Sequence, residues 1–139
     1  MSMIEELKQE EKVPVVMADQ NGLIIYVNRK FQEIFKWSPD EIIGEPLTTI
    51  IPPYLHDAHN LGFSRFLATE KTVILNRPLT LQAIDKNGVI FLAEHCIQSE
   101  KINGSWVFAA TIRPLEDTPN KPGKKQSADV SEEVPNEKR

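Results

Sequence analysis

The chain has 139 residues, 40% hydrophobic and 26% charged, as is typical of one soluble globular domain. Its formal net charge of −4 disfavours nucleic acid as a partner, because nucleic-acid binding usually needs a basic patch. There is no run of about 18 apolar residues, so we expect no contact with a membrane. The acidic start lacks a signal-peptide pattern and the single cysteine, Cys96, cannot form an internal disulfide, so we expect a cytoplasmic location.

Local composition divides the chain into three segments. Residues 1–12 are charged, with Ile4 and Leu7 at helical spacing, which predicts a short N-terminal helical extension outside the core. Residues 118–139 have no aromatic residue and only three apolar ones, with prolines among them. Such a segment buries too little apolar surface to offset the entropy of ordering, so we predict a disordered polar tail. The folded domain is expected to span residues 13–117.

The first half of the predicted domain begins with a hairpin. Residues 15–18 and 23–27 favour strands, and the Asp-Gln-Asn-Gly turn of residues 19–22 joins them because Asn and Gly tolerate positive φ. Asn28 is a suitable N-cap for a helix, and Ser38 begins a second helix with Pro at the first position and a Glu for a capping box. The inward face of the first helix would carry Phe31, Ile34 and Phe35.

The second half is predicted to hold one longer helix and three strands. Residues 52–69 form the helical stretch. Its apolar stripe, in steps of mostly three or four residues, consists of Leu55, His59, Phe63, Phe66 and Leu67. Strand-like segments follow within residues 73–84, 90–98 and 105–113, with Asn-Gly turns between them. This order predicts an α+β fold in which helices pack on one face of an antiparallel sheet.

Four stretches carry a recognisable series of motifs, and the last strand continues it to Arg113. They are residues 19–28 (DQNGLIIYVN), 35–44 (FKWSPDEIIG), 65–69 (RFLAT) and 85–91 (DKNGVIF). In this order and spacing they resemble the PAS family of sensor domains. The resemblance implies a PAS fold with a five-stranded sheet of strand order 2-1-5-4-3 and a pocket between the sheet and the longer helix. It also implies a signal-sensing homodimer with a signalling partner protein, as in bacterial two-component systems.

Heme is the most specific ligand that the resemblance implies. Residues 53–66 resemble the matching helix of the heme-binding oxygen sensors of this family, with His59 at the position of the iron-binding histidine. A neutral imidazole is a good axial ligand for heme iron, and His59 lies on the apolar stripe. The arginine that contacts oxygen in those sensors has Arg77 as its nearest counterpart, one or two positions away. A histidine on such a stripe is also often a hydrogen-bonded core residue, so an unknown small ligand, or none, is the alternative.

His95 is a second polar candidate for the pocket. On the predicted strand it shares one face with Phe91, Ala93 and Ile97, and the resemblance directs that face towards the pocket. A buried polar group needs a partner. His95 would therefore bind heme iron opposite His59, or hydrogen-bond a polar ligand, a water molecule or a neighbouring side chain. The other expected pocket residues are Phe63, Leu67, Ile74, Arg77, Ile97 and Phe108.

Catalysis is not expected, because the sequence has no nucleophile elbow, P-loop, dinucleotide fingerprint or zinc motif. Photochemistry between flavin and cysteine is disfavoured, since Cys96 lies on a predicted strand rather than on a helix. His56 and His59 are three residues apart, a spacing that is common by chance and predicts no separate metal site. Pro114 replaces the Asp of the usual output motif, so we expect no C-terminal signalling helix. Two functions remain open: a ligand sensor, or a ligand-free dimerisation and interaction module.

Overall fold

The computed structural model describes residues 3–69 and 78–115 of the chain. Its helices and strands are, in chain order, α1 (Met3–Leu7), β1 (Val15–Asp19), β2 (Ile24–Val27), α2 (Arg29–Phe35), α3 (Pro39–Ile42), α4 (His56–Thr69), β3 (Pro78–Ile84), β4 (Ile90–Ile102) and β5 (Ser105–Pro114). Short 3₁₀ turns lie at Leu47–Ile50 and Pro53–Leu55. The predicted tail, residues 118–139, lies outside the described residues. No helix of the described ranges is both long and apolar enough to cross a membrane.

The five strands form one antiparallel sheet in the order β2-β1-β5-β4-β3, which confirms the predicted α+β fold and its strand order. β4 continues to Ile102, four residues beyond the predicted end of that strand. The added length follows from the turn at Asn103 and Gly104, whose φ angles are 52° and 86°. Two consecutive positive φ angles make a tight two-residue hairpin, so Ile102 pairs directly with Ser105.

The two other Asn-Gly turns are each stabilised by hydrogen bonds to an aspartate side chain. Oδ1 of Asp19 accepts hydrogen bonds from the backbone N–H groups of Asn21 and Leu23, at 2.9 and 3.1 Å. Oδ1 of Asp85 accepts from Asn87 and Val89 in the same way, at 2.9 Å each. Because these bonds are local, both turns could be predicted from their Asp-x-Asn-Gly sequences.

The main core lies between the inner face of the sheet and helices α2 and α3. The rings of Phe31 and Phe35 stack at 4.3 Å, and Phe35 also contacts Phe91 of β4 at 5.3 Å. The buried members of this core are Val16, Ile24, Val27, Phe31, Phe35, Ile42, Ile50, Ala83, Ala93 and Ile112. Alanine on the sheet therefore lies beneath phenylalanine from the helix layer, which lets the two layers approach closely.

The N-terminal helix differs from its prediction. It was expected outside the core, but Ile4 is only 5% exposed and packs with Val15, Met17 and Ala109 on the outer face of the sheet. Helices therefore lie on both faces of the sheet. The cause is tertiary, because the outward positions of β1 and β5 carry apolar side chains that α1 shields from water.

Asn28 connects the N-terminal segment to the core. It is buried, and its Oδ1 accepts hydrogen bonds from the N–H groups of Val15 and Phe31, at 2.9 Å each. Its Nδ2 donates to the carbonyls of Glu10 and Val13, also at 2.9 Å. One amide thus caps α2, begins β1 and holds the segment that leads in from α1.

Replacing Asn28 with Asp tests this role. The carboxylate would lose both donor hydrogens and would face two carbonyl oxygens in a buried position, so we expect the free energy of unfolding to fall by about 3 kcal/mol. Urea denaturation followed by circular dichroism measures the change. Asn60→Asp, at an exposed position of α4, is the control and should stay within about 0.5 kcal/mol of the unmodified chain. Equal losses in both variants would contradict the role of Asn28.

Candidate ligand-binding site

Helix α4 crosses the inner face of the sheet, and aromatic side chains fill one end of the gap between them. The ring of Phe63 lies 4.9 Å from that of Phe108, and Phe66 contacts both Trp106 and Phe108, at 4.9 and 5.2 Å. Pairs at these spacings, with tilted or edge-on rings, are well packed. We call Phe63, Phe66, Trp106 and Phe108 the aromatic cluster. It closes the gap near the turn between β4 and β5.

Further along the strands the inner face is less covered. Leu79, His95, Ile97 and Ala110 point to the same side of the sheet as the buried Ala93 and Ile112, yet each stays partly accessible. The side chains of α4 therefore do not seal this region. We call these four residues the open recess. Three of them are apolar, so His95 is its polar member.

His59 lies on the helix side of the gap. Its ring is half-buried and stacks along Phe63 with a centroid separation of 5.9 Å. Burial lowers the pKa of His59 below its ordinary value of 6.5, and nearby His56 lowers it further, so the ring is neutral at pH 7. No described residue forms a hydrogen bond with either ring nitrogen.

His95 lies on the sheet side of the gap. Its Nδ1 is 3.1 Å from the carbonyl oxygen of Ala93, an atom that can only accept, so Nδ1 carries the proton and donates. Burial lowers the pKa of His95, and this hydrogen bond opposes the shift in part. The ring is therefore neutral at pH 7, and its Nε2 is an acceptor that no described residue engages.

His56 has a structural role at the start of α4. Its Nε2 lies 2.7 Å from the carbonyl oxygen of Ile51, so it joins the helix to the preceding segment. Within residues 3–69 and 78–115, no group of three His, Cys, Asp or Glu residues could hold a metal ion. Cys96 points to the outer face of the sheet, opposite Pro78 and Thr111.

Three of the predicted pocket residues do not lie along the gap in the part of the chain that the structure describes. Ile74 and Arg77 lie outside the described residues. Leu67 differs from its prediction, because it is 38% exposed and lines a shallow cleft at the end of the sheet instead of the gap. The adjacent Phe66 takes the inward place on α4 and turns Leu67 towards solvent. Phe63 and Phe108 contact each other at the aromatic end of the gap, and Ile97 lies on the inner face of β4. Their role in binding a ligand stays a prediction.

The chain matches one family over most of its length. The family, described as the PAS fold, matches residues 2–114. The chain belongs to the PAS family. Among curated proteins, an uncharacterized protein of Azorhizobium caulinodans is 35% identical to this PAS domain over 104 residues, which are 74% of the chain. The chain spans only 14% of the length of that relative.

Solved structures share the fold of this PAS domain at low sequence identity. The PAS domain of a Colwellia psychrerythraea protein has a TM-score of 0.66 at 14% identity and covers 81% of this chain and 93% of its own. A PAS domain from a two-component sensor histidine kinase has a TM-score of 0.63 at 15% identity, with the same coverage of both chains. The arrangement of sheet and helices therefore persists where the sequences have diverged.

Some features of the PAS domain that border the site were not predicted from the sequence. Leu79 and Ala110 line the open recess, and alternation of inward-facing apolar residues along the strands was the available signal. A second unpredicted feature is the cleft of about 340 Å³ beside the turns at the sheet end, where Lys101 lies 5.4 Å from the Trp106 ring centroid. That cleft is shallow and open, and it contains neither candidate histidine.

Stability should depend on pH through the two half-buried histidines, His59 and His95. Their pKa values are lowered in the folded PAS domain, so the unfolded chain binds protons first as the pH falls below 6.5. We expect the free energy of unfolding to be maximal above pH 6.5 and to decrease towards pH 5. The double variant His59→Leu, His95→Leu should show a flatter profile in urea denaturation across that range.

Glu41 supplies the control for this profile. Its ion pair with Lys86 lowers the pKa of the carboxyl. The contribution of this ion pair to the free energy of unfolding is therefore lost only below about pH 4.5. Glu41→Gln should therefore keep the slope between pH 7 and 5. A double histidine variant with the slope of the unmodified chain would contradict the assignment.

Proposed function

We propose that this PAS domain is a sensory module that binds a small molecule between α4 and the inner face of the sheet and passes the signal on through protein–protein contacts. The observation that carries the proposal is the position of two imidazoles beside the gap, His59 on the helix against Phe63 and His95 on the sheet against the Ala93 carbonyl. Each has a ring nitrogen that no described residue engages. A few polar atoms in an apolar recess are the usual composition of a small-molecule site.

Heme is the second candidate ligand and has support from one residue. A neutral, half-buried imidazole at His59 has the chemistry of an axial ligand for iron. The space beside it is less suitable, because His59 stacks along Phe63 and Phe63 contacts Phe108. In the described arrangement the residues therefore do not fit a flat macrocycle between α4 and β5. The geometry favours a smaller organic ligand in the open recess.

Filling the open recess tests the small-molecule site. Ala110 lines it on β5, opposite Ile97, so Ala110→Leu would extend into the space that a ligand needs. With indole as the probe, we expect amide shifts around Leu79, Ile97 and Ala110 in nuclear magnetic resonance spectra. Ala110→Leu should weaken this binding at least about tenfold, whereas Ala68→Leu, at an exposed position of α4, should not.

A hemin titration of the same samples decides between the two ligand classes. We expect no Soret band that depends on His59. A band that is lost in His59→Ala and retained in His56→Ala would make heme the ligand and would contradict the preference for a smaller molecule. His56 is a matched control because it lies on the same helix, three residues away, and contacts Ile51.

The aromatic cluster supports a second function, a ligand-free interaction module. Phe63, Phe66, Trp106 and Phe108 close one end of the gap without help from a ligand. If other side chains closed the recess as well, the domain would act only through its surface. Absence of any shift on adding indole, together with no hemin uptake, would favour this module over the sensor.

We further propose that the signal leaves through a homodimer and a partner protein, as in a two-component pathway. The supporting observation is an apolar edge on the outer sheet face that α1 leaves open. There Ile90 and Leu92 of β4 are 45% and 43% exposed, and the half-buried Ile84 lies opposite Ile90. Val89, which is 56% exposed, directly precedes the strand. Adjacent exposed apolar side chains on one sheet face are typical of an interaction surface.

A single charge at this edge should disrupt the homodimer. We expect Ile90→Asp to raise the dissociation constant of the dimer at least about tenfold, measured by light scattering across a range of concentrations. Ile25→Asp is the matched control, because Ile25 is also 45% exposed but lies on β2 at the other edge of the sheet. Equal effects of the two changes, or a monomeric unmodified chain, would contradict this surface.

A further inference from the structure

His95 lies among apolar side chains on the sheet wall of the site. Its cross-strand neighbours are Leu79 on β3 and Ile112 on β5, and Ala93 and Ile97 flank it on the same face of β4. None of these four side chains has a polar atom. An imidazole in such a position has few polar partners within the protein. In the open recess the ring stays partly accessible to water, and a ligand that covers its free nitrogen has to replace that contact.

The hydrogen bond to Ala93 determines which ring nitrogen is available. A neutral imidazole has one donor and one acceptor, and Nδ1 uses the donor on the Ala93 carbonyl at 3.1 Å. Nε2 is therefore an acceptor. It cannot donate unless the ring becomes charged, and burial lowers the pKa of His95 and opposes that change.

We propose that Nε2 of His95 accepts a hydrogen bond from the ligand, and that the ligand is a small apolar ring with one N–H or O–H donor. The inference rests on the proposed function, because it names the ligand chemistry of the same site. The apolar part of such a molecule matches Leu79, Ile97 and Ala110. Its donor satisfies the one acceptor on this wall. The aromatic cluster limits its length on the side of β5.

A ligand without the donor should be rejected. It would cover Nε2 and remove water from it without replacing the lost hydrogen bond, and an unmet buried acceptor weakens binding by roughly tenfold. The preference for ligands with a donor over ligands without one should depend on His95 alone. His95→Leu places an apolar side chain among apolar neighbours, so we expect the variant to fold and to lose the preference.

Indole and 1-methylindole are matched probes, because they share the ring and differ in the N–H donor. Titrations followed by nuclear magnetic resonance give both affinities. We expect the unmodified PAS domain to bind indole roughly tenfold more tightly, and the ratio to fall to about one in His95→Leu. Gln98→Leu, on the outer face of the same strand, is the control and should keep the tenfold ratio.

The outcomes separate this inference from the proposed function. Equal binding of both probes to the unmodified domain, with shifts around Leu79 and Ile97, would overturn the role of His95 and leave a small-molecule site. No binding of either probe would overturn both. Nitrogen chemical shifts give a second test without a ligand, since the inference requires an unprotonated Nε2 in His95 at pH 7. A protonated Nε2 would overturn it.

Discussion

The fold depends on a single buried amide that is fully hydrogen-bonded to backbone atoms. Asn28 joins three segments that have no continuous secondary structure between them: the chain entering from α1, the start of β1 and the first turn of α2. A side chain with fewer polar atoms would leave backbone groups unpaired in the interior. Since α1 and α2 lie on opposite faces of the sheet, Asn28 also sets how the two layers are positioned relative to each other.

The layer between helices and sheet is packed unevenly, and the candidate site lies where packing is weakest. At one end the α2 phenylalanines fill the space above Ala93, and at the other the aromatic cluster brings α4 onto β5. Between these regions the sheet offers Leu79, His95 and Ile97 with partial exposure. Side chains packed on both sides hold the recess in place without filling it. This arrangement is how a small domain could combine a stable core with the proposed ligand site.

Features that depend on neighbouring residues could be predicted from the sequence. The Asp19 and Asp85 turns and the cap at Asn28 are examples. Their hydrogen bonds connect residues close together in the chain, and each needs a short polar side chain at one position. The strand order came from the family resemblance. The packing of Ile4 could not be predicted, since it depends on residues distant in the chain. The outward turn of Leu67 could not be predicted either, because contacts with Trp106 and Phe108 select its neighbour Phe66 as the inward residue. For His95, strand alternation predicted that the side chain faces inward. Its tautomer could be assigned only from the structure, which shows the Ala93 carbonyl beside Nδ1.

Inward-facing alanines of the sheet have a consequence for how such a site can change. Ala83 and Ala93 let the phenylalanines of α2 approach the sheet closely, and Ala110 has a side chain of one carbon atom in the floor of the recess. Adding a methyl group or two at Ala110 would alter the volume without touching the hydrogen bonds of the sheet or the polar atoms of the histidines. Ligand size can therefore be retuned separately from ligand polarity. Descendants of one such domain could diverge in what they detect through single conservative substitutions while the scaffold stays constant.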